Sequence, residues 1–506
     1  MRHKVIMDDR SSGVPPMKMT TAVFVSSVLL AGASLNAATA PPNIVVILTD
    51  DQGFADISLN PHHPQEVSTP HMDALAKEGV TFSQAYTSGH VCSPTRAGLM
   101  LGRYQQRVGV YSAGDGGRGF DPQLPIFPSF LPDEYVSTAI GKWHLGLDED
   151  YPALKWHAMN RGFDECYKFM GRGGHDYFDL HSDTESKSAH PLYRNKKRID
   201  DEGYLTDRLS EEAIEFIERN KAQPFFLYLA YNAVHAPPQA PQETIAQYRK
   251  KFPDLDDKRV VLMAMLKHLD DGIGRVVEKL KQEELFDNTI LFFLTDNGGS
   301  KAMSANNTPL RGFKGSLYEG GIRTPFIVSW PAKFSGGRTI NTPVISLDIL
   351  PTVLDAVARN PETKNKFDGK SLLPLLTDQR TAHHDTLYWS EGGDSGEWAV
   401  RSGDWKMHAM KDKQQLFNLA HDPGEKTDLT AEHPERVKIM NSAFDQWIGE
   451  MAAPISGGSK RWEDRPADQL SDRKKERRRQ RAERRRQRAA EKKLKKSNAN
   501  AQDSIQ

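Results

Sequence analysis

The sequence predicts an α/β fold: a large mixed, mostly parallel sheet sandwiched by helices, then a smaller C-terminal α+β subdomain carrying an antiparallel sheet. Three observations predict it. Two segments, Asn43-Ile-Val-Val-Ile-Leu-Thr-Asp-Asp-Gln-Gly53 and Asn288-Thr-Ile-Leu-Phe-Phe-Leu-Thr-Asp-Asn-Gly298, repeat one pattern, a continuous apolar run closed by Thr-Asp-(Asp/Asn) and a glycine. Unbroken runs of β-branched and aromatic residues fit strands covered on both faces, the environment of a parallel sheet between helices. Helical repeats separate such runs, and from about Leu387 the texture changes to short aromatic stretches with glycine turns.

Taken in chain order, the first element is an address. Met17 to Ala40 has a charged start at Lys18, an apolar run from Ala22 to Ala33 and small residues ending Ala38-Thr39-Ala40, the plan of a removed secretory signal. The run is shorter than the ~20 residues a bilayer span needs, and no Cys follows it to carry a lipid anchor. Met1 to Pro16 reads as an extension from an upstream start codon. Residues 1–40 are therefore assigned to an N-terminal extension and signal, and the protein to the periplasm or the secreted fraction, with no transmembrane span. In an oxidising compartment Cys92 and Cys166 are expected to pair as a disulfide.

Residues 41–380 form the expected catalytic domain. Val136 to Ile140, Pro224 to Tyr231 and Thr324 to Trp330 read as further strands, and Leu262, Leu266, Leu269, Ile273, Val276, Val277 and Leu280 recur at helical spacing. Both Thr-Asp turns then fall at the carboxyl edge of the sheet, where open α/β sheets bind their ligands. Asp50, Asp51, Asp296 and Asn297 offer hard oxygen ligands, which suit Ca2+ or Mg2+ and are poor for zinc. One such turn alone would read as a helix cap, but two of them after two buried strands favour a metal. Cys92-Ser-Pro-Thr-Arg96 lies just before a predicted helix, whose N-terminal N–H groups and dipole form a natural seat for an oxyanion.

Residues 381–457 form the expected antiparallel-sheet subdomain, with strands around Leu387-Tyr-Trp, Trp398 to Met410 and Gln415 to Leu419 and a helix from Pro434 to Trp447. Residues 458–506 form a basic low-complexity tail. The 506-residue chain has 67 basic and 67 acidic side chains, and this neutrality is an average over unlike parts. Asp472 to Lys496 carries 15 Lys or Arg against 4 Asp or Glu, which leaves 52 basic and 63 acidic residues elsewhere. The tail is expected to contact a polyanion or the cell envelope, and in an exported protein nucleic acid is disfavoured. With 38% apolar residues the chain is too rich in core material to be disordered, and two cysteines exclude a Cys-rich metal site.

Cys92-Ser-Pro-Thr-Arg96 resembles the maturation motif of the type I sulfatases, in the alkaline phosphatase superfamily, whose Cys becomes formylglycine. The resemblance extends in family order through Asp50-Asp51, Gly141-Lys-Trp-His-Leu-Gly146, His235-Ala-Pro, Thr295-Asp-Asn-Gly298, the segment Arg311 to Pro325, and Leu416-Phe-Asn-Leu followed by Asp422-Pro-Gly-Glu. Thr95 stands where the family usually has Ser or Ala, and Met100-Leu101 where it usually has Leu-Thr.

The resemblance implies an alkaline phosphatase-like fold and an exported arylsulfatase-like enzyme, a sulfatase hydrolysing sulfate esters of a sulfated carbohydrate. It implies 3-oxoalanine (formylglycine) made from Cys92 by a formylglycine-generating maturation enzyme. It also implies Ca2+, with Mg2+ second, held by Asp50, Asp51, Asp296, Asn297 and the group derived from Cys92. The catalytic set carried over is Cys92, Arg96, Lys142, His144, His235 and Lys314. In this scheme a hydrated formylglycine attacks sulfur through one oxygen, and Arg96 and Lys142 stabilise it. Lys314 and His235 contact the sulfate, His235 protonates the leaving alcohol, and His144 takes the proton from the second hydroxyl. A Cys92→Ser enzyme, lacking that second hydroxyl, is expected to stall after one turnover. Two other functions compete: a phosphonate monoester or phosphodiester hydrolase of the same superfamily, and a non-catalytic sulfated-polysaccharide-binding protein.

His62, His63, His157, His175 and His383 match no motif and read as surface or substrate-pocket residues. The Gly-rich stretches Gly114 to Phe120 and Arg172 to His181 read as loops that line the cleft.

Overall fold

The computed structural model describes residues 40–147, 153–171, 173–182, 190–359, 366–392, 396–411 and 413–457. The expected signal segment before Ala40 and the expected basic tail after Gly457 lie outside the described residues.

Asn43–Thr49 forms strand β1, buried along its whole length. It is followed by β2 (Val80–Phe82), β3 (Ala85–Tyr86), β4 (Val136–Lys142), β5 (Glu165–Phe169), β6 (Leu192–Arg194), β7 (Lys197–Ile199), β8 (Phe225–Ala230), β9 (Thr289–Thr295), β10 (Phe326–Ser329), β11 (Arg338–Ile340) and β12 (Val344–Ile345). All but β3 and β12, which pair with each other, form a ten-stranded sheet in the order β11-β2-β10-β9-β1-β8-β4-β5-β6-β7.

The centre is parallel: β1 pairs with β8 on one side and β9 on the other, with Asn43 opposite Thr289 and Thr49 opposite Thr295. The two sister sequences are therefore neighbouring strands in register. The predicted strand at Thr324 to Trp330 is shortened to β10, which runs antiparallel between β9 and β2 and makes the sheet mixed.

The helices are α1 (Pro70–Glu78), α2 (Cys92–Leu101), α3 (Ala113–Arg118), α4 (Leu205–Asn220), α5 (Gln242–Lys251), α6 (Asp257–Gln282), α7 (Glu319–Ile322), α8 (Ile349–Ala356), α9 (Leu373–Leu376) and α10 (Pro434–Gly449). Because successive strand residues point to opposite faces, Ile44, Val46 and Leu48 pack with α2 and α8, while Val45 and Ile47 pack with α1, α4 and α6. Among the described residues no helix is long and apolar enough to cross a membrane.

The aromatic C-terminal stretches form β13 (Thr386–Ser390), β14 (Trp398–Ser402), β15 (Trp405–Met410) and β16 (Lys413–Asn418), an antiparallel meander. A third apolar cluster joins Trp389, Val400, Met407 and Leu416 of this sheet to α10 through Phe444 and Trp447, and to Tyr86, Leu317 and Ile322 of the first layer system.

Three expectations are corrected. Cys92 and Cys166 are both free and buried. Cys92 sits at the carboxyl edge of the sheet, whereas Cys166 is opposite Ala139, three positions before the Lys142 end of β4, with its Sγ 3.8 Å from His157 Nε2. At about 3.3 Å per strand residue, that depth alone separates the two levels by about 10 Å. His157 and His175 are fully buried core residues, and the His383 side chain is only 5% exposed. Gly114 to Phe120 is largely the short helix α3, closed by a Ser112/Asp115 capping box, because a cap and small residues let a turn pack tightly where polarity alone suggests an open loop.

Candidate active site

The carboxyl ends of β1 and β9 deliver Asp50, Asp51, Asp296 and Asn297 side by side, each at most 1% exposed. Backbone bonds fix the turns: Asp50 N–H donates to Ala233 O (2.9 Å), Val234 N–H to Asp50 O (2.7 Å) and Asp296 N–H to Thr49 O (3.1 Å). Asp51 adopts φ 61°, a left-handed conformation that Asp tolerates better than most residues and that turns the chain sharply after the strand. Asn307, between the turns, accepts from Phe54 N–H (3.1 Å) and Gly299 N–H (3.0 Å), so one amide ties both together.

Cys92 is the first residue of α2, entered from an extended Val91. Its Sγ lies 3.6 Å from Asp50 Oδ1 and 3.2 Å from Lys314 Nζ. Thr95, where the family usually has a smaller residue, exchanges 3.2 Å hydrogen bonds with the Gly89 backbone, so its hydroxyl braces the turn that leads into the helix. Arg96, one turn on, is fully buried and donates to Asp296 Oδ2 from Nε (2.9 Å) and Nη2 (2.7 Å), and from Nη1 to Lys142 O (2.8 Å). Lys142, the last residue of β4, places Nζ on Asp50 Oδ2. Lys314 Nζ reaches Asp51 Oδ1 at 2.6 Å, and Asn297 Nδ2 donates to the same oxygen at 2.8 Å.

Both histidines face this cluster. His235 Nδ1 lies 2.8 Å from Ala236 O, a partner that places the ring proton on Nδ1 and turns Nε2 toward Asp51 Oδ2, 3.7 Å away. His144 is 3% exposed, with Nδ1 unpaired, and the Ser93 hydroxyl fixes its backbone by donating to His144 O (2.5 Å). Burial, then the cations Lys142 and Arg96, hold its imidazole well below the usual histidine range, so it is neutral and free to accept a proton near neutral pH.

Burial raises the Asp50 and Asp51 carboxyls, but the attraction of Lys142 for the first and Lys314 for the second, each aided by His235, leaves both below the usual range. Burial, then Asp50, pushes the Cys92 thiol up to about 12. As placed, Cys92 is a neutral thiol between a carboxylate and an ammonium group.

The donor set fits a hard divalent cation. Three carboxylates and one amide oxygen converge, and Asp296 Oδ1 and Asn297 Oδ1 are buried acceptors without any hydrogen-bond partner. Asp50, Asp51, Cys92 and His235 each offer one ligand atom, all within 4.8 Å of one another. Three carboxylates already balance Arg96, Lys142 and Lys314, so a divalent ion would leave the pocket positive and suited to an anion. A second cluster, Asp348 with His383 and His384, is of another kind. Its carboxylate accepts Lys370 N–H and His384 on one oxygen and Ile345 N–H and His383 on the other, which fills its acceptor sites.

All the sequence-derived residues are thus brought to one edge of the sheet. Sequence reasoning missed Ser93 and Asn307, whose roles are visible only in what they join. It also missed Tyr177, whose hydroxyl bonds to Asn232 O and His235 O, both at 2.9 Å, and so holds the His235 turn from the Gly-rich stretch beside it.

A family model described as Sulfatase matches residues 42–358, and one described as N-sulphoglucosamine sulphohydrolase, C-terminal, matches residues 313–448. The chain is 30% identical to an uncharacterized sulfatase, YdeN, of Escherichia coli K12, over 82% of this chain and 87% of that one. It is 28% identical to the N-acetylgalactosamine-6-sulfatase of Homo sapiens, again over 82% and 87%. The crystal structure of Ps i-CgsB in complex with k-i-k-neocarrahexaose superposes with a TM-score of 0.75 at 33% identity, over 82% of this chain and 94% of that one.

Proposed function

The chain belongs to the sulfatase family and is a sulfuric ester hydrolase, and from that premise we propose that it is exported and desulfates a sulfated carbohydrate, with Cys92 as the precursor of formylglycine and Ca2+ at the paired acidic turns. The observation that carries this reading is the meeting of Cys92 Sγ with Lys314 Nζ and Asp50 inside a cluster of carboxylates, two of whose neighbouring acceptor oxygens lack any partner. The carbohydrate substrate is supported by the N-acetylgalactosamine-6-sulfatase relative and by the oligosaccharide in the superposed crystal structure. Export is supported by the Met17 to Ala40 pattern.

Asp50, Asp51, Asp296 and Asn297 would hold Ca2+, which when bound supplies positive charge for the sulfate oxygens. Formylglycine at position 92 would supply, as its hydrate, a hydroxyl nucleophile. The chain's own residues do the rest. Lys314 lies at the mouth of the cluster, 19% exposed, where it can meet a sulfate oxygen while bound to Asp51. Arg96 and Lys142 have carboxylates as their observed partners, so they hold Asp50 and Asp296 in place and set the charge around position 92. His235 Nε2 faces the cluster from a ring fixed at Nδ1, so it is the imidazolium, protonated at both nitrogens, that would give a proton from Nε2 to a departing alcohol. His144, neutral and unpaired at Nδ1, is placed to accept one.

Mass spectrometry of the Cys92 peptide from the native host tests the modification: formylglycine differs from Cys by loss of hydrogen sulfide and gain of an oxygen atom, and an unmodified thiol overturns the reading. Matched aryl sulfate and aryl phosphonate esters test the chemistry, with strong preference for the sulfate expected.

A further inference from the structure

Lys406 is fully buried in β15, 2.9 Å from Glu319 Oε1 and 2.9 Å from Glu425 Oε1. Directly across the strand pair stands Arg401, also buried and on the same face. Like charges opposite each other weaken a sheet, so the stability of the four-stranded sheet gives no reason for this pair. It is tolerated because Glu319 and Glu425 enter from outside the sheet. Arg401 bonds the Tyr86 hydroxyl, which donates to Glu319 Oε2 (2.6 Å), and Arg323 lies 3.5 Å from the same oxygen.

The carboxylates belong to segments that lead to the active site. Glu425 Oε2 accepts Glu319 N–H (2.6 Å), and Glu425 O accepts from Arg311 Nη1 (2.8 Å). Arg311 and Glu319 bracket the loop that carries Lys314, and Gly320 N–H closes it on Arg311 O (2.7 Å). The same turn is pressed against the second acidic loop: Gly298 N–H donates to Gly321 O (3.0 Å), and a Cβ on Gly298 would lie 1.8 Å from Gly320 O. One turn, anchored from behind by Lys406, thus touches both the Lys314 loop and the residue after Asn297.

We infer that Lys406 is a positioning residue for Lys314 and the Asp296–Asn297 loop, acting through Glu319 and Glu425. The C-terminal sheet thereby serves as the backing of the anion site. The inference rests on the sulfatase reading only for its kinetic consequence, because the geometric coupling is independent of the substrate.

The test uses the full-length protein with Lys406→Met, and with Lys406→Met/Glu425→Gln as a second variant. The single change takes the ammonium group from Glu425 and from Glu319, which keeps only Tyr86 and Arg323, and costs stability. The double change removes one charge of each sign and keeps an acceptor for Glu319 N–H, so it should recover most of the melting temperature. In both variants, well below their melting temperatures, amide hydrogen exchange over Lys314 to Gly321 and at Gly298 is expected to accelerate at least about tenfold. For an aryl sulfate kcat/KM is expected to fall about 10- to 100-fold, mainly through KM, because a misplaced Lys314 and metal loop weaken anion binding. Wild-type exchange and KM in the double variant, or in a folded single variant whose melting temperature alone has dropped, would overturn the inference. A wild-type enzyme inert toward sulfate esters would count against the function, and the exchange comparison would still decide the positioning role.

Discussion

The turns after β1 and β9 start from nearly the same residues, Leu48-Thr-Asp-Asp51 and Leu294-Thr-Asp-Asn297, on neighbouring strands in register, yet they end in different electrostatic surroundings. The first meets two lysines, Lys142 on Asp50 and Lys314 on Asp51; the second meets the guanidinium of Arg96 on Asp296. The first is completed by Asp51 at φ 61°, the second by a neutral Asn297 that donates to Asp51. Closely similar local chemistry supplies the oxygens, and the neighbours divide the labour between them. The β1 turn carries the contacts to the Cys92 position and to Lys314, while the β9 turn offers the unpaired acceptors Asp296 Oδ1 and Asn297 Oδ1.

The difference can be broken in order of expected effect. Asp51→Ala removes the partner of both Lys314 and Asn297 and should lower kcat/KM for an aryl sulfate by at least about 10³-fold. Asp296→Ala, which leaves the buried Arg96, as its ion pair, only the longer 3.8 Å contact with the Asp50 carboxylate, should match that loss and add a drop of about 3 kcal/mol in unfolding free energy by denaturant titration. An Asp51→Ala enzyme with near wild-type kinetics would remove the β1 turn from the site.

Gly298→Ala forces a methyl onto Gly320 O and should cost about 1–3 kcal/mol. Thermal unfolding at the wild-type value would show that the turn can move away. Asn297→Asp makes the two turns alike and adds a fourth carboxylate. The Ca2+-free protein should melt lower than wild type, and added Ca2+ should raise its melting temperature more than it raises that of wild type. Equal shifts would show that Asn297 does not face the ion. The smallest effect belongs to Thr295→Val, which loses weak bonds to Thr49 O (3.3 Å) and Asn297 O (3.4 Å) and should cost about 1 kcal/mol or less.

Much of this site was legible in the chain because the signals are local. An unbroken run such as Ile44 to Leu48 can be buried on both faces only in a covered sheet, so the acidic residues that follow it must emerge at an edge. Cys92 before a helix start is likewise a statement about adjacent residues. What escaped detection depends on partners far apart in sequence. His157 and His175 have polar side chains, and only the packing of β5 and β6 around them shows that they belong to the core. The free state of Cys166 follows from its depth on β5, which no spacing encodes. Lys406 lies outside the quoted motifs and became interpretable only when Glu319 and Glu425, each inside one of them, were found on it.

The sequence by itself determined the two buried strands, the chemistry at their ends and the residue types needed to bind an anion, since burial patterns and ligand hardness are properties of the residues themselves. Only the tertiary structure decided that β10 runs antiparallel beside β9, that Lys142 and Lys314 fall on opposite members of one acidic pair, and that a second sheet stands behind the Lys314 loop. Those outcomes turn on the pairing of segments up to hundreds of residues apart, where charge and shape complementarity across the fold choose among arrangements that local preference leaves equal.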